Sequence, residues 1–273
     1  MDPLDFQSSS RQQRQRGYAV ALGKLLLLFA LLAWLGAESA ARTGYNWQWY
    51  RIPRYLFTTV DGSWHSGPLL TGLGVTLQIV VVSLPLAFLF GLVTALLRLS
   101  SSRVGQLLAR LYLEAIRNTP LLIQIFFIYF VVAPLFDIGR LTSAVLALSL
   151  FEGAYAAEIL RAGITAIPRG QWEASASLGL TRLASYRLVI LPQTLRLVLP
   201  PLTSQAVSLV KDSALVSTIA IFDLTMQGEM IVSETFLTFE VWFTVAAIYL
   251  ALNLLLSALV RLLELYMVPA GTG

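Results

Sequence analysis

The sequence predicts an all-α polytopic membrane protein, and three observations carry that prediction. Only 12% of the 273 residues are charged and 57% are hydrophobic, whereas soluble domains run at roughly a quarter charged. Six apolar stretches, 18–36, 69–97, 106–132, 140–162, 200–222 and 241–262, approach or exceed the roughly 20 residues needed to cross a hydrocarbon core. The arginines stand at the ends of these stretches, not beside an aromatic or Gly-rich platform. That placement argues for membrane lipids and against nucleic acid as a partner.

An even number of spans puts both termini on one side. With the N-terminus in the cytoplasm, Arg11, Arg14, Arg16, Lys24, Arg98, Arg103, Arg110, Arg161, Arg169, Arg182, Arg187 and Arg261 fall inside. Only Arg42, Arg51, Arg54 and Arg140 fall outside. The positive-inside rule then predicts cytoplasmic termini. Segment 223–240 agrees, holding Asp223, Glu229, Glu234 and Glu240 without a base.

The first stretch admits two readings. Arg11 to Arg16, an apolar run and Ala37-Glu38-Ser39 have the layout of a signal peptide. If Lys24 snorkels to the headgroups, residues 1–37 are instead a cytoplasmic tail and a permanent anchor, which is the reading adopted. Segment 38–68 carries Tyr45, Trp47, Trp49, Tyr50, Tyr55 and Trp64. Such side chains suit a headgroup interface, so it is predicted to be an amphipathic segment on the outer surface. The only histidine, His65, lies there without a second ligand nearby, and there is no cysteine. Disulfides, thiolate catalysis and cysteine metal sites therefore drop out.

Ionisable residues within spans cost about 2.5–3.5 kcal/mol each at a helix centre, so each calls for a reason. Glu114 and Arg117 can pair on one helix face, and Pro120 removes the hydrogen bond to the Ile116 carbonyl, predicting an unwound spot beside them. They are either an ion pair fixing a kink or a substrate contact. Glu158 and Arg161 share that spacing near the cytoplasmic end of 140–162. Glu152 sits near mid-span, with no base three or four positions away, on a face with Tyr155. It must be protonated, paired across helices, or lining a wet cavity; in the last case it would meet a substrate ammonium or cationic side chain. Lys211 and Asp212 are adjacent and point in different directions. Lys211 is then free to face the pathway, meet a substrate carboxylate, or cross to Glu114 or Glu152.

The cytoplasmic segment 164–199 is longer than a turn requires. Pro168 suits the opening of a helix, Gly179 a left-handed stop, and Thr181 the N-cap of a second helix that should stop or bend at Pro192. The prediction is a compact knob of two short helices, with Trp172 and Leu178 as apolar anchors and Glu173 as its acid. Such a pattern fits an interfacial hairpin as well as a grip for a soluble partner.

The knob's residues also carry a resemblance. Glu173-Ala174-Ser175, three residues, Gly179, nine residues and Val189-Ile190-Leu191-Pro192 resembles the EAA loop of ABC-importer permeases. Ser175 stands for the second alanine and Val189 for an isoleucine. The flanks resemble the polar amino-acid subfamily: Tyr112-Leu113-Glu114 with Arg117-Asn118-Thr119-Pro120-Leu121-Leu122, Gly153-Ala154-Tyr155-Ala156-Ala157-Glu158-Ile159 with Arg161, Gly170-Gln171-Trp172-Glu173-Ala174, and Val210-Lys211-Asp212-Ser213-Ala214-Leu215. These motifs cover about 69–262 and leave the first span and the aromatic segment outside.

The resemblance implies a five-helix type I ABC-importer transmembrane core over 69–262, one added N-terminal transmembrane helix, and a C-terminal tail over 263–273, in a bacterial inner membrane. It implies that Gln171, Trp172, Glu173, Ala174, Ser175 and Gly179 dock the knob on an ABC ATPase subunit dimer. That partner would bind ATP and magnesium, and this chain no cofactor. A second permease, identical or homologous, would complete the pathway, and a periplasmic amino-acid-binding protein would deliver the substrate. Candidate pathway residues are Glu152, Tyr155, Glu158, Lys211, Glu114 and Arg117. At position 152 the family usually carries a small or polar neutral residue, so Glu152 departs from it.

Rival classes fare less well. No Gly-x4-Gly-Lys-Ser/Thr loop exists and the only lysines are Lys24 and Lys211, so the chain has no phosphate-binding motor loop. An ion-coupled secondary transporter would find use for Glu152, Lys211 and Asp212, but no inverted repeat of broken spans recurs. A membrane enzyme would need a nucleophile–base set or metal cluster that these few polar residues do not offer. Glu152 with Lys211 would serve a zwitterion, which leaves acidic, amide and basic amino acids equally open.

Overall fold

The computed structural model describes residues 44–60 and 62–267, with the single positions 27, 31, 34, 36 and 38. The stretch 18–36 and its two readings otherwise lie outside the described residues, as do residues 268–273. The chain divides after Gln48 into two units, and every element described here belongs to the second.

Single helical turns over Trp49–Arg51 and Pro53–Leu56 precede a hairpin of Phe57–Val60 (β1) and Ser63–Ser66 (β2). The aromatic segment thus includes a strand pair, which the sequence did not specify. Thr58, Thr59 and Val60 favour strand, and Gly62 at φ +76° supplies a left-handed turn residue. Phe57 and Trp64 meet edge to face at 6.4 Å, and both are exposed.

Nine helices follow among the described residues: α1 (Pro68–Leu99), α2 (Arg103–Arg117), α3 (Leu121–Phe136, with a wide turn at Phe127–Val132), α4 (Arg140–Thr165), α5 (Arg169–Ser177), α6 (Arg182–Ser185), α7 (Leu191–Asp212), α8 (Leu224–Thr235) and α9 (Thr238–Met267). α1, α4 and α9 are each long and apolar enough to cross a membrane, matching the stretches 69–97, 140–162 and 241–262. The stretch 106–132 is not one continuous helix. It breaks at Asn118–Pro120, and α2 and α3 meet at 109°. Proline without its amide, and a residue before it disfavoured in the helical region, together end α2.

Two further features were not set by residue type. Of the two outcomes expected at Pro192, a stop or a bend, the stop does not occur: α6 continues through a wide turn, Tyr186–Ile190, into α7. In that turn the Leu191 amide donates five residues back to Tyr186, and the widened ring gives the pyrrolidine room that a regular turn lacks. α7 also passes Pro200 and Pro201 and is followed by a tight 3-10 segment, Ser213–Ile219. Segment 223–240, which lies between two apolar stretches, contains α8. The Asp223 carboxylate caps it by accepting from the Met226 amide at 2.9 Å. Leu224, Gly228 and Ile231 face inward at helical spacing, while Glu229 and Glu234 face out.

Burial orders the bundle. In its most apolar window α4 is 67% buried, α1 39% and α9 6%, so α4 is the central helix and α9 the outermost of the three. α1 packs along α4 through Ala87, Gly91 and Ala95 against Gly153, Ala156 and Ala157. A Cβ at Gly91 would stand 2.7 Å from that of Ala156. Without a hydrophobic drive between helices in lipid, small residues that admit close packing are what hold such a pair. Ile79, Ile125, Leu148, Leu209 and Val216 fill the core between α1, α3, α4 and α7.

Candidate functional site

Four features of this frame bear on function: the knob, the break between α2 and α3, a cavity at Glu152 and a groove at Lys211.

The knob is held from inside. The ring of Trp172 on α5 meets Tyr186 edge to face at 4.8 Å, and Gln193 Nε2 donates to Gln171 Oε1 at 3.2 Å. Ser175 is buried and donates to the Trp172 carbonyl at 2.8 Å. Gly179 closes α5 at φ +73°, with the Leu180 amide reaching back to Ser175, and Thr181 caps α6 by accepting from the Ala184 amide at 3.3 Å. The start, stop and cap thus fall where the sequence predicts. Trp172 is an internal anchor, whereas Leu178 is not: it is 79% exposed, as is Leu183. Glu173 and Ala174 are exposed beside them.

At the break, no ion pair joins Glu114 to Arg117 among the described residues. Glu114 instead accepts from Asn118 Nδ2 at 2.8 Å, and Arg117 lies 5.8 Å from the centre of the Tyr155 ring, near enough for a cation–π contact. The Ile116 carbonyl freed by Pro120 is taken by Gln124 Nε2 at 2.8 Å. The same amide bonds the Thr119 carbonyl and hydroxyl at 3.0 and 2.8 Å. Gln124 is thus the clasp of the break, and residues 117–120 around it are exposed. Tyr112 ties α2 to α4 by donating to the Leu150 carbonyl at 2.5 Å.

Glu158 pairs with Arg161 at 2.9 Å, as its spacing predicts, and also with Arg98 of α1 at 3.1 Å. That second bond spans two helices and is invisible to local spacing. Glu152 is separate. It is 2% exposed and lines a cavity of about 400 Å3 walled by Leu84, Pro85 and Phe88 of α1, Ala156 of α4, and Leu199, Leu202 and Gln205 of α7. Gln205 Nε2 donates to its Oε2, and its Oε1 has no partner. Tyr155 does not join it there, but packs on Phe151 at 5.1 Å.

Lys211 does not reach Glu152 or Glu114. Ser204, Ser208 and Lys211 fall on one face of α7, lining with Ser257 and Arg261 of α9 a polar groove of about 410 Å3. Gln205 and Asp212 lie seven residues apart on another face, and Asp212 comes within hydrogen-bonding reach of Glu152. Adjacent helical positions diverge, so the acid and base part company. Glu152 and Lys211 therefore do not form the two poles of one zwitterion site.

Residues 87–267 match the family described as binding-protein-dependent transport system inner membrane component. The chain belongs to that family. The permease is 38% identical over 205 residues to the glutamine transport system permease protein of Escherichia coli (strain K12), covering 74% of this chain and 94% of that one. It is 36% identical over 206 residues to the octopine transport system permease protein of Rhizobium radiobacter, covering 72% and 84%. A crystal structure of an amino acid ABC transporter with histidines contains a chain that it matches at a TM-score of 0.68 and 40% identity, over 72% of this permease and 92% of that chain. The permease is thus an inner-membrane transport component with several membrane-crossing helices. It works with an ATPase and a binding protein, as its family does.

The sequence reading missed three residues. Gln124, Gln205 and Asp223 are uncharged or capping groups whose roles depend on partners 3 to 53 positions away. Only Asp223 carried a signal, the N-cap pattern ahead of Leu224–Thr235.

Proposed function

We propose that the chain is one of two permeases, identical or homologous, that form the pathway of an amino-acid importer, and that the knob within 164–199 receives the stroke of an ATPase dimer. ATP and magnesium then act on the partner subunits, and a periplasmic binding protein delivers the amino acid. The observation that carries this reading is the build of the knob. Its inner face is fixed by Trp172 and Gln171, while its tip offers Leu178 and Leu183, each 79% exposed, beside Glu173. A rigid arm with an apolar tip transmits force, whereas a helix lying in a headgroup interface needs no such clamp. Basic residues at the cytoplasmic ends support an orientation with both termini inside.

The pathway is proposed to run past the α2–α3 break and the Lys211 groove. Irregular backbone and an exposed ammonium at membrane depth are tolerated where they face protein or water, not lipid. Glu114, Arg117 and Lys211 are accordingly assigned to the pathway, Tyr155 to holding Arg117, and Glu158 to bracing α1 against α4.

The double substitution Leu178→Asp with Leu183→Asp tests the coupling role. The expected result is a permease that inserts normally but no longer stimulates its ATPase or supports uptake. Full uptake by that variant would contradict the assignment.

A further inference from the structure

We propose that the hairpin ahead of α1 is an interfacial anchor. Its ring-bearing face seats in the lipid headgroup layer at the end of the bundle where α1 and α9 begin. The register separates its two faces. Thr59 stands opposite Trp64 and Phe57 opposite Ser66, and residues directly opposite share a face while successive residues alternate. Phe57, Thr59, Trp64 and Ser66 therefore lie on one side, and Thr58 and His65 on the other. The rings of Phe57 and Trp64, diagonal neighbours across the strands, meet edge to face at 6.4 Å. Trp64 is 76% exposed and Phe57 53%, so the pair does not serve the core. One face of the hairpin is aromatic and the other polar.

The base of the hairpin fixes its level. Ile52 and Tyr55, in the turns before it, are buried with Leu69 of α1, Leu224 of α8, and Leu237 and Val241 at the start of α9. The Gly67 amide donates to the Leu56 carbonyl at 2.7 Å, and a Cβ at Gly67 would collide with the Tyr55 carbonyl. The strands thus spring from the first turn of a helix long and apolar enough to cross a membrane. Beside them α9 begins with Phe239 and Phe243 exposed, and Trp49 lies 6.3 Å from the Phe243 ring. Leu250 and Leu254 follow on the same face of α9, also exposed. An apolar helix face that ends in rings has the profile of a passage from hydrocarbon to headgroups. Indole rings favour that layer because they join an apolar body to a polar N–H. Arg54, exposed and 4.7 Å from the centre of the Tyr55 ring, brings a guanidinium suited to lipid phosphates. A protein partner would require no such continuity with the apolar face of α9.

The test places a nitroxide on each face of the hairpin in the full-length permease, assembled with its ATPase in proteoliposomes. No native cysteine competes for the label. Thr59→Cys marks the ring-bearing face and His65→Cys the polar face, both at exposed positions. With no binding protein present, collisions with oxygen relative to a water-soluble nickel chelate are expected to be more frequent at 59 than at 65. Adding Phe57→Ser and Trp64→Ser to the Thr59→Cys chain should lower its ratio to that of position 65. Equal ratios at 59 and 65 overturn the proposal, as does a high ratio at 59 that survives loss of both rings. A label at 59 that is open to water until the binding protein is added would give the face to that protein and overturn the proposal too. The comparison of 59 with 65 decides the matter even if the ring-less variant fails to insert.

Discussion

Gln124 shows how one uncharged side chain maintains an irregular backbone inside a membrane. Pro120 strips the Ile116 carbonyl of its helical donor, and the Gln124 amide replaces that donor while also binding Thr119. An orphaned buried carbonyl costs about 1–3 kcal/mol. Gln124→Leu, nearly the same volume, is therefore expected to lower the unfolding midpoint of the purified permease and to reduce uptake. Gln124→Glu, which keeps the shape but loses the donor, should behave similarly, and a wild-type midpoint in both would remove the clasp from the account. Glu158 makes the complementary point, because its pairing with Arg161 was legible from a spacing of three whereas its bond to Arg98, 60 positions away, was not. Local spacing reports what a helix does to itself and says nothing of which helix lies alongside.

At the scale of elements, Gly179 and Gly91 carry different burdens. Gly179 sits at φ +73° with no neighbouring atom near its missing Cβ, so its role is conformational. A side chain there costs about 1–2 kcal/mol for the left-handed backbone, and asparagine less than alanine. Gly179→Ala should thus blunt substrate-stimulated ATP hydrolysis more than Gly179→Asn. Gly91 is a matter of space, since its Cβ would collide with Ala156 at the α1–α4 crossing. Gly91→Leu is expected to cost about 1–3 kcal/mol, read as a lowered unfolding midpoint in detergent.

The sequence disclosed the ends of helices better than their continuity. Pro168, Gly179 and Thr181 act through their own backbone, so residue type predicts them. At Pro192 residue type left a stop and a bend both open, because the wide turn Tyr186–Ile190 that accommodates it has no local signature. The broken span was hidden because hydropathy sums across Asn118–Pro120, and α8 because Glu229 and Glu234 lie on the face turned from the core.

For the whole molecule, the arrangement joins the proposed docking knob to the Glu152 cavity through two shared helices. The knob lies at the end of α4 and the start of α6–α7, and α4 and α7 are also the helices that supply Glu152 and Gln205. A displacement of the knob therefore has a direct mechanical route to the cavity. Because the chain has no cysteine, its orientation is accessible to single-cysteine labelling without prior substitutions. Leu178→Cys should react with an impermeant reagent only from the cytoplasmic side, and Trp64→Cys only from the outer side. The central claim is that this chain is the membrane half of an ATP-driven importer, and uptake into proteoliposomes tests it most directly. With ATPase subunits and binding protein present, uptake should require internal ATP and external binding protein, persist in an uncoupler, and vanish in the Leu178→Asp, Leu183→Asp variant. Uptake that proceeds without ATP and collapses with the ion gradient would contradict it.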